Sequence, residues 1–299
     1  MCGIVGLLVK NPAMRDELGK LMLPMLIGMT ERGPDSAGLA VFGDKLAKGK
    51  IKFNLFTLSS EFDWKAFEKA FDHHFGSHAE LNIKGRHAIL LTSVQWESVR
   101  EWLVQDYRHQ LTILCVGNSM DIYKDIGTPE QVANRYDFSK LHGTHLVGHT
   151  RMATESAVTP QHAHPFTAGH DFCLVHNGSL SNPYSIRKKL EPLGIRFVTD
   201  NDTEAACRFL EWRMREGDTL EEALKAGFEE LDGFYTFLIG TEDKLALVRD
   251  PFACKPAVVA ENDDYVAISS EFRSLARLPD IKNARLFEPA PEELYVWTI

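Results

Sequence analysis

Residues 2–9 read Cys2-Gly3-Ile4-Val5-Gly6-Leu7-Leu8-Val9. The run is short, apolar and partly β-branched, with glycines where another backbone can approach closely, and it predicts a buried strand that starts at the second residue. Residues 14–30 have helical periodicity, with Pro24 expected to kink or end the helix. ERGPDSAGLAVFG, residues 31–43, reads as a punctuated turn running into a second strand. Residues 145–151 (HLVGHTR) and 172–178 (FCLVHNG) are strand-like pieces ending in polar clusters. A helix is predicted over 202–216 with Asp202 as its N-cap, and another over 218–230. FYTFLIG (234–240), KLALVRD (244–250), AVVAEN (257–262), YVAISS (265–270) and ELYVWTI (293–299) then read as strands joined by tight turns. The pattern is layered α/β with mostly antiparallel sheets.

Residues 44–143 have a different character. IKFNLFTL (51–58), FDWKAFEKAFDHHF (62–75), HAILLTSV (87–94), ESVREWLVQDY (97–107), LTILCVG (111–117) and TPEQVANRY (128–136) alternate between strand and helix periods. They predict a small β/α lobe inserted in a larger domain.

Composition excludes several classes. The formal net charge is −9 without a basic patch, which argues against nucleic acid or anionic lipid as a partner. Five dispersed cysteines with no CxxC argue against a disulfide framework or structural zinc. The N-terminus lacks a basic n-region, and no apolar run is long enough to span a bilayer. A cytoplasmic protein with reduced thiols and no membrane partner is expected.

Cys2 carries the chemistry. Removal of Met1 leaves a thiol and a free α-amine on one residue. The thiol pKa is about 8.5 and the amine pKa about 7.7–8.0, so the amine can take the thiol proton and later return it to a leaving group. Cysteine at position 2 means little by itself. It is accompanied by Arg32-Gly33-Pro34-Asp35-Ser36-Ala37-Gly38, Gly148-His149-Thr150-Arg151-Met152-Ala153-Thr154, His162-Ala163-His164-Pro165, His176-Asn177-Gly178 and Asp202-Thr203-Glu204.

CGIVG, RGPDSAG, GHTRMAT, HAHP, VHNG and DTE, in that order, resemble the class II glutamine amidotransferases, which are N-terminal nucleophile hydrolases. Gly233-Phe234-Tyr235, Arg249-Asp250-Pro251, Lys255-Pro256 and Ser269-Ser270-Glu271-Phe272 are similar to the family's later segments. The resemblance covers about 1–43 and 144–299. It implies an α+β fold, a four-layer αββα sandwich forming one domain over 1–299, with the lobe at about 44–143 inserted in it. It further implies that Cys2 is the nucleophile and that Asn177 and Gly178 form the oxyanion site. Arg151 matches the residue that binds the substrate α-carboxylate, Asp202 the residue that binds its α-ammonium, and Thr154 and His164 further pocket positions. Met152 and Glu155 depart from residues common in the family and put the pocket lid in question.

Each residue also has a plain structural reading. Asn177-Gly178 suits a type I′ hairpin turn. Arg151 suits a surface charge, and Asp202 a helix cap. His149, His162, His164 and His176 suit a metal cluster, although no acidic or thiolate partner stands at ligand spacing. Arg32 and Asp35 are expected to brace the turn near Cys2, and Cys115, Cys173, Cys207 and Cys254 to lie in the core.

The resemblance points to glutamine as substrate, and the sequence contains no GxxxxGK[ST] loop with which to use the ammonia. The layout is similar to the stand-alone amidotransferase subunits of glutamate synthase-like and N-methylglutamate synthase systems. The implied partner is an FMN-dependent glutamate synthase-like subunit. Any flavin or iron–sulfur centre would belong to that partner, and no cofactor is expected in this chain. The lobe reads equally as a docking element or a decoration. A γ-glutamyl amide hydrolase and a non-catalytic glutamine-sensing scaffold are the alternatives.

Overall fold

The structure is a computed structural model that describes residues 2–153 and 157–299. Its strands are β1 (Gly3–Val9), β2 (Ser36–Phe42), β3 (Ile51–Thr57), β4 (Glu80–Lys84), β5 (His87–Thr92), β6 (Leu111–Gly117), β7 (Met120–Ile126), β8 (His145–Arg151), β9 (Phe166–Ala168), β10 (Phe172–Leu180), β11 (Gly233–Gly240), β12 (Lys244–Arg249), β13 (Val258–Glu261), β14 (Tyr265–Ser269), β15 (Arg285–Phe287) and β16 (Leu294–Thr298). Its α-helices are α1 (Leu18–Ile27), α2 (Trp64–Phe75), α3 (Trp96–Asp106), α4 (Pro129–Arg135), α5 (Pro183–Leu190), α6 (Asp202–Arg215), α7 (Leu220–Glu230) and α8 (Phe272–Leu275).

β1 is an inner strand of a seven-stranded sheet ordered β15-β13-β14-β1-β8-β2-β7. A second sheet, β16-β12-β11-β10-β9, faces it. Successive side chains of a strand point to opposite faces, and β1 shows why its sequence is apolar throughout. Ile4 and Leu8 join Val147, Val175, Leu238 and Leu247 in the core between the sheets. Val5, Leu7 and Val9 join Met22, Met25 and Leu26 of α1 on the outer face. A Cβ on Gly6 would come within 2.8 Å of Leu238 Cδ2, so this glycine lets the two sheets approach. α5, α6 and α7 cover the other sheet through Ile186, Phe209 and Leu224. The result is the expected α+β sandwich in four layers, αββα.

α1 neither ends nor breaks at Pro24; it continues to Ile27. An interior proline removes roughly 3 kcal/mol of helix stability. Burying Met22, Met25 and Leu26 contributes about 1.5–3 kcal/mol each and outweighs it.

The stretch expected as one lobe over 44–143 divides. β4-β5-β3-β6 form a separate four-stranded sheet. It is packed on α2 and α3 through Phe53, Leu55, Phe67, Phe71 and Trp102. β7, by contrast, pairs with β2 along the edge of the seven-stranded sheet. Its Met120 and Ile122 enter the core between the sheets, and Val132, Ala133 and Phe138 pack in the core around α1. The independent sheet therefore ends at Gly117. Asp125 of β7 ties the two parts together, accepting bonds from Arg86 of the lobe and from Arg135 and Tyr136. No helix among the described residues is long and apolar enough to cross a membrane.

Three buried histidines give the fold a pH dependence. Burial pulls the pKa of His87 down to about 4, and those of His145 and His149 to about 3. Each folded-state value lies below the unfolded 6.5, so this contribution to stability is complete above pH 6.5 and is lost as pH falls toward the folded values. At pH 5.5 each histidine destabilises the fold by about 1.4 kcal/mol, or about 4 kcal/mol for the three. Urea unfolding midpoints measured from pH 7.5 to 5.0 should fall accordingly. Burial pulls the pKa values of His164 and His176 down as well and steepens the slope further, so His145→Asn should recover only its own share, about 1.4 kcal/mol at pH 5.5; an unchanged slope would refute that share.

Candidate active site

The register of the first sheet brings Arg151 to the end of β1 that carries Cys2. Gly3 lies opposite Thr150, so Cys2 stands beside Arg151 at the end of β8. The RGPD turn braces this end, as expected. Arg32 Nε donates to Cys2 O at 3.0 Å and its Nη1 pairs with Glu271 at 3.2 Å. Asp35 Oδ2 accepts from Ala153 N at 2.8 Å, and Asp35 N donates to Arg151 O.

The half-buried Cys2 Sγ lies 3.9 Å from Met152 O. Burial pushes the thiol pKa up, opposed by the Met152 backbone and the Arg151 charge. A local base is therefore needed to make thiolate at neutral pH. Arg151 is 4 % exposed, not a surface charge, and its Nη1 donates to Ala157 O at 3.0 Å. Burial pulls its pKa down against the opposing influence of Cys2, Asp35, Asp200 and Asp202. Thr154 and Glu155 lie outside the described residues.

Asn177 and Gly178 are not a hairpin turn. They sit inside β10, opposite Thr236 and Tyr235 of β11. Tyr235 spends its own N–H and C=O on Asp250, so Gly178 and Tyr235 form a non-hydrogen-bonded pair and Gly178 turns its N–H away from β11. β9 stops pairing at Leu174, which leaves that edge of β10 open. Gly178 has φ +151°, and a Cβ there would fall 1.9 Å from Phe234 O, so glycine is required. Asn177 is 2 % exposed, and its Nδ2 is buried without a hydrogen-bond partner among the described residues. An amide donor in that state is a preorganised site for an oxygen that arrives with substrate.

Asp202 is the first residue of α6 and not its cap. Asn201 caps the helix, accepting from Thr203 N at 2.9 Å. Asp202 Oδ2 instead accepts from Leu180 N, at the end of β10, at 2.9 Å. The metal-cluster reading of the histidines is not the arrangement found. His162 pairs with Asp200 at 3.0 Å. His149, His164 and His176 are buried and hydrogen-bonded elsewhere. Among the described residues no three His, Cys, Asp or Glu groups are placed to hold a metal ion. Cys115, Cys173 and Cys207 are buried, but Cys254 is exposed; it lies in the turn after β12, where no sheet covers it.

The sequence reading missed Lys124. Its buried ammonium donates to Ala163 O at 2.8 Å and Pro165 O at 3.1 Å, fastening the loop that carries His164 to β7. Burial pulls its pKa down to about 8. A single lysine within a strand carries no sequence signal for this task.

A glutamine amidotransferase domain family matches residues 149–277, which include Arg151, His164, Asn177, Gly178 and Asp202. The glutamine amidotransferase-like protein GlxB of Rhizobium meliloti is 46 % identical over 298 residues, covering 99 % of this chain and 98 % of that one. The chain belongs to the class II glutamine amidotransferase family. A putative glutamine amidotransferase of Methanothermobacter thermautotrophicus is 32 % identical over 308 residues, covering 99 % of each chain. The fold is that of the class II amidotransferases: the glutamine phosphoribosylpyrophosphate amidotransferase of B. subtilis aligns with a TM-score of 0.63 at 20 % identity over 99 % of this chain. This amidotransferase chain spans 47 % of the length of that protein.

Proposed function

We propose that this chain is a glutaminase subunit, hydrolysing the glutamine side-chain amide to glutamate and ammonia once Met1 is removed. The unpartnered Asn177 Nδ2 carries the reading, because it gives a buried donor to a fold whose first strand presents a thiol. Arg151 and Asp202 both bear electrostatically on Cys2, which supports their roles as carboxylate and ammonium partners of an amino-acid substrate.

In this mechanism the Cys2 α-amine takes the thiol proton, and Sγ bonds to the amide carbon. Asn177 Nδ2 and Gly178 N–H hold the tetrahedral oxyanion. The C–N bond breaks as the ammonium returns the proton, ammonia leaves, and a thioester remains. Water then attacks the thioester, releasing glutamate and restoring the thiol. The ammonia passes to an FMN-dependent glutamate synthase-like partner subunit, and this chain itself carries no cofactor.

The test is direct. The purified chain, shown by intact mass to lack Met1, should release glutamate from glutamine. A variant with a residue inserted between Met1 and Cys2, so that the amine stays in a peptide bond, should lose that activity by about 10²-fold or more. Full activity with the amine blocked would rule out the amine as base.

A further inference from the structure

Four elements deliver the site: β8 brings Arg151, the loop before β9 brings His164, β10 brings Asn177 and Gly178, and α6 brings Asp202. Directly behind these residues lies a closed cluster with one member from each element. His149 Nε2 donates to the His176 carbonyl oxygen at 2.9 Å, bridging the two sheets and holding the peptide that leads into Asn177. The His149 ring stacks on His164 at 4.1 Å. His164 Nε2 meets Thr203 Oγ1 at 2.9 Å, and Thr203 Oγ1 meets His176 Nδ1 at 3.1 Å. Thr203 is 1 % exposed, and its longest polar contact is to Asp202 Oδ1 at 3.4 Å.

We propose that Thr203 is a positioning residue for the glutaminase reaction, its hydroxyl fixing His164 and His176 and through them the placement of Asn177. This inference rests on the glutaminase reading above. A hydroxyl has one hydrogen and two acceptor lone pairs. It can donate to one partner only, so at least one imidazole donates its own N–H to Oγ1. The hydroxyl thereby sets which ring nitrogens carry protons. Burial pulls the pKa of both rings below the usual imidazole range. Valine has nearly the shape of threonine but no hydroxyl, and it would leave two buried imidazole nitrogens unpartnered. Serine keeps the hydroxyl.

Thr203→Val and Thr203→Ser should be compared by glutaminase kinetics and by ¹⁵N NMR of the imidazole nitrogens. The valine variant should lose about tenfold or more in kcat with KM changed by less than about threefold, because a misplaced oxyanion donor acts on the transition state. It should also shift the His164 and His176 ring resonances. Serine should restore kcat to within about threefold of the parent. If the valine chain does not fold, Thr203→Cys, with its poor hydrogen-bonding thiol, carries the same comparison. A valine variant with kcat within about twofold of the parent, or unmoved ring resonances, would overturn the proposal. A parent chain that releases no glutamate sinks the glutaminase reading instead, and the ring resonances then decide the role of Thr203 alone.

Discussion

Replacing Cys2 by alanine is expected to abolish glutamate release from glutamine, by about 10⁴-fold or more, while leaving the fold intact. The thiol's polar contact among the described residues is a long one, 3.9 Å to Met152 O, so alanine breaks no strong hydrogen bond there. The backbone bond from Arg32 to Cys2 O does not depend on the side chain. Arg151 and Asp202 remain, so glutamine binding measured by calorimetry should survive even though turnover does not. Cys254 supplies the control. It is the other cysteine that is not buried, and its Sγ reaches the Phe252 carbonyl at 3.8 Å, two residues away in its own turn. Cys254→Ser should retain activity and should stay sensitive to iodoacetamide through Cys2. Appreciable turnover by Cys2→Ala would end the thioester mechanism.

The second large effect is at Asn177. Asn177→Ala should lower kcat by roughly 10²–10³, with a small change in KM, since the donor meets an oxygen whose charge develops only in the transition state. Its stability change should run against the usual direction for a buried side chain. In the free protein Nδ2 is buried and unpartnered, and an unsatisfied buried donor is itself destabilising by about 1–3 kcal/mol. Removing it offsets the packing lost, so the thermal midpoint should stay level or rise while activity collapses. A variant that loses stability but keeps its kcat would show that the amide is structural.

The two predictions depend on residues that were unequally legible in the sequence. β1 could be read because every side chain in it is apolar, as a strand buried on both faces must be. The order of the six motifs located Cys2, Arg151, His164, Asn177, Gly178 and Asp202. The hairpin reading of Asn177-Gly178 was legible but misleading: the same dipeptide favours φ > 0 in a turn and in a strand that passes close to Phe234 O, and only the neighbouring strand tells these apart. The sequence alone does not separate the cap of α6 from its first residue, because Asn201 and Asp202 are both capping residues and Asn201 takes the role. β7 was missed because its alternation is interrupted by Lys124 and Asp125. Both are buried, one against loop carbonyls and one against two arginines and a tyrosine. The Thr203 cluster left no trace in periodicity, since its members come from four separate segments.

The place of β1 in its sheet has a consequence for how the enzyme is made. Its neighbours are β8, residues 145–151, and β14, residues 265–269. β1 therefore pairs on one side with a segment some 140 residues further along the sequence and on the other with one some 260 residues further along. Such long-range pairing is slow and requires most of the polypeptide to be present. The strand that follows Cys2 thus lacks one of its two neighbours until residues 265–269 are in place.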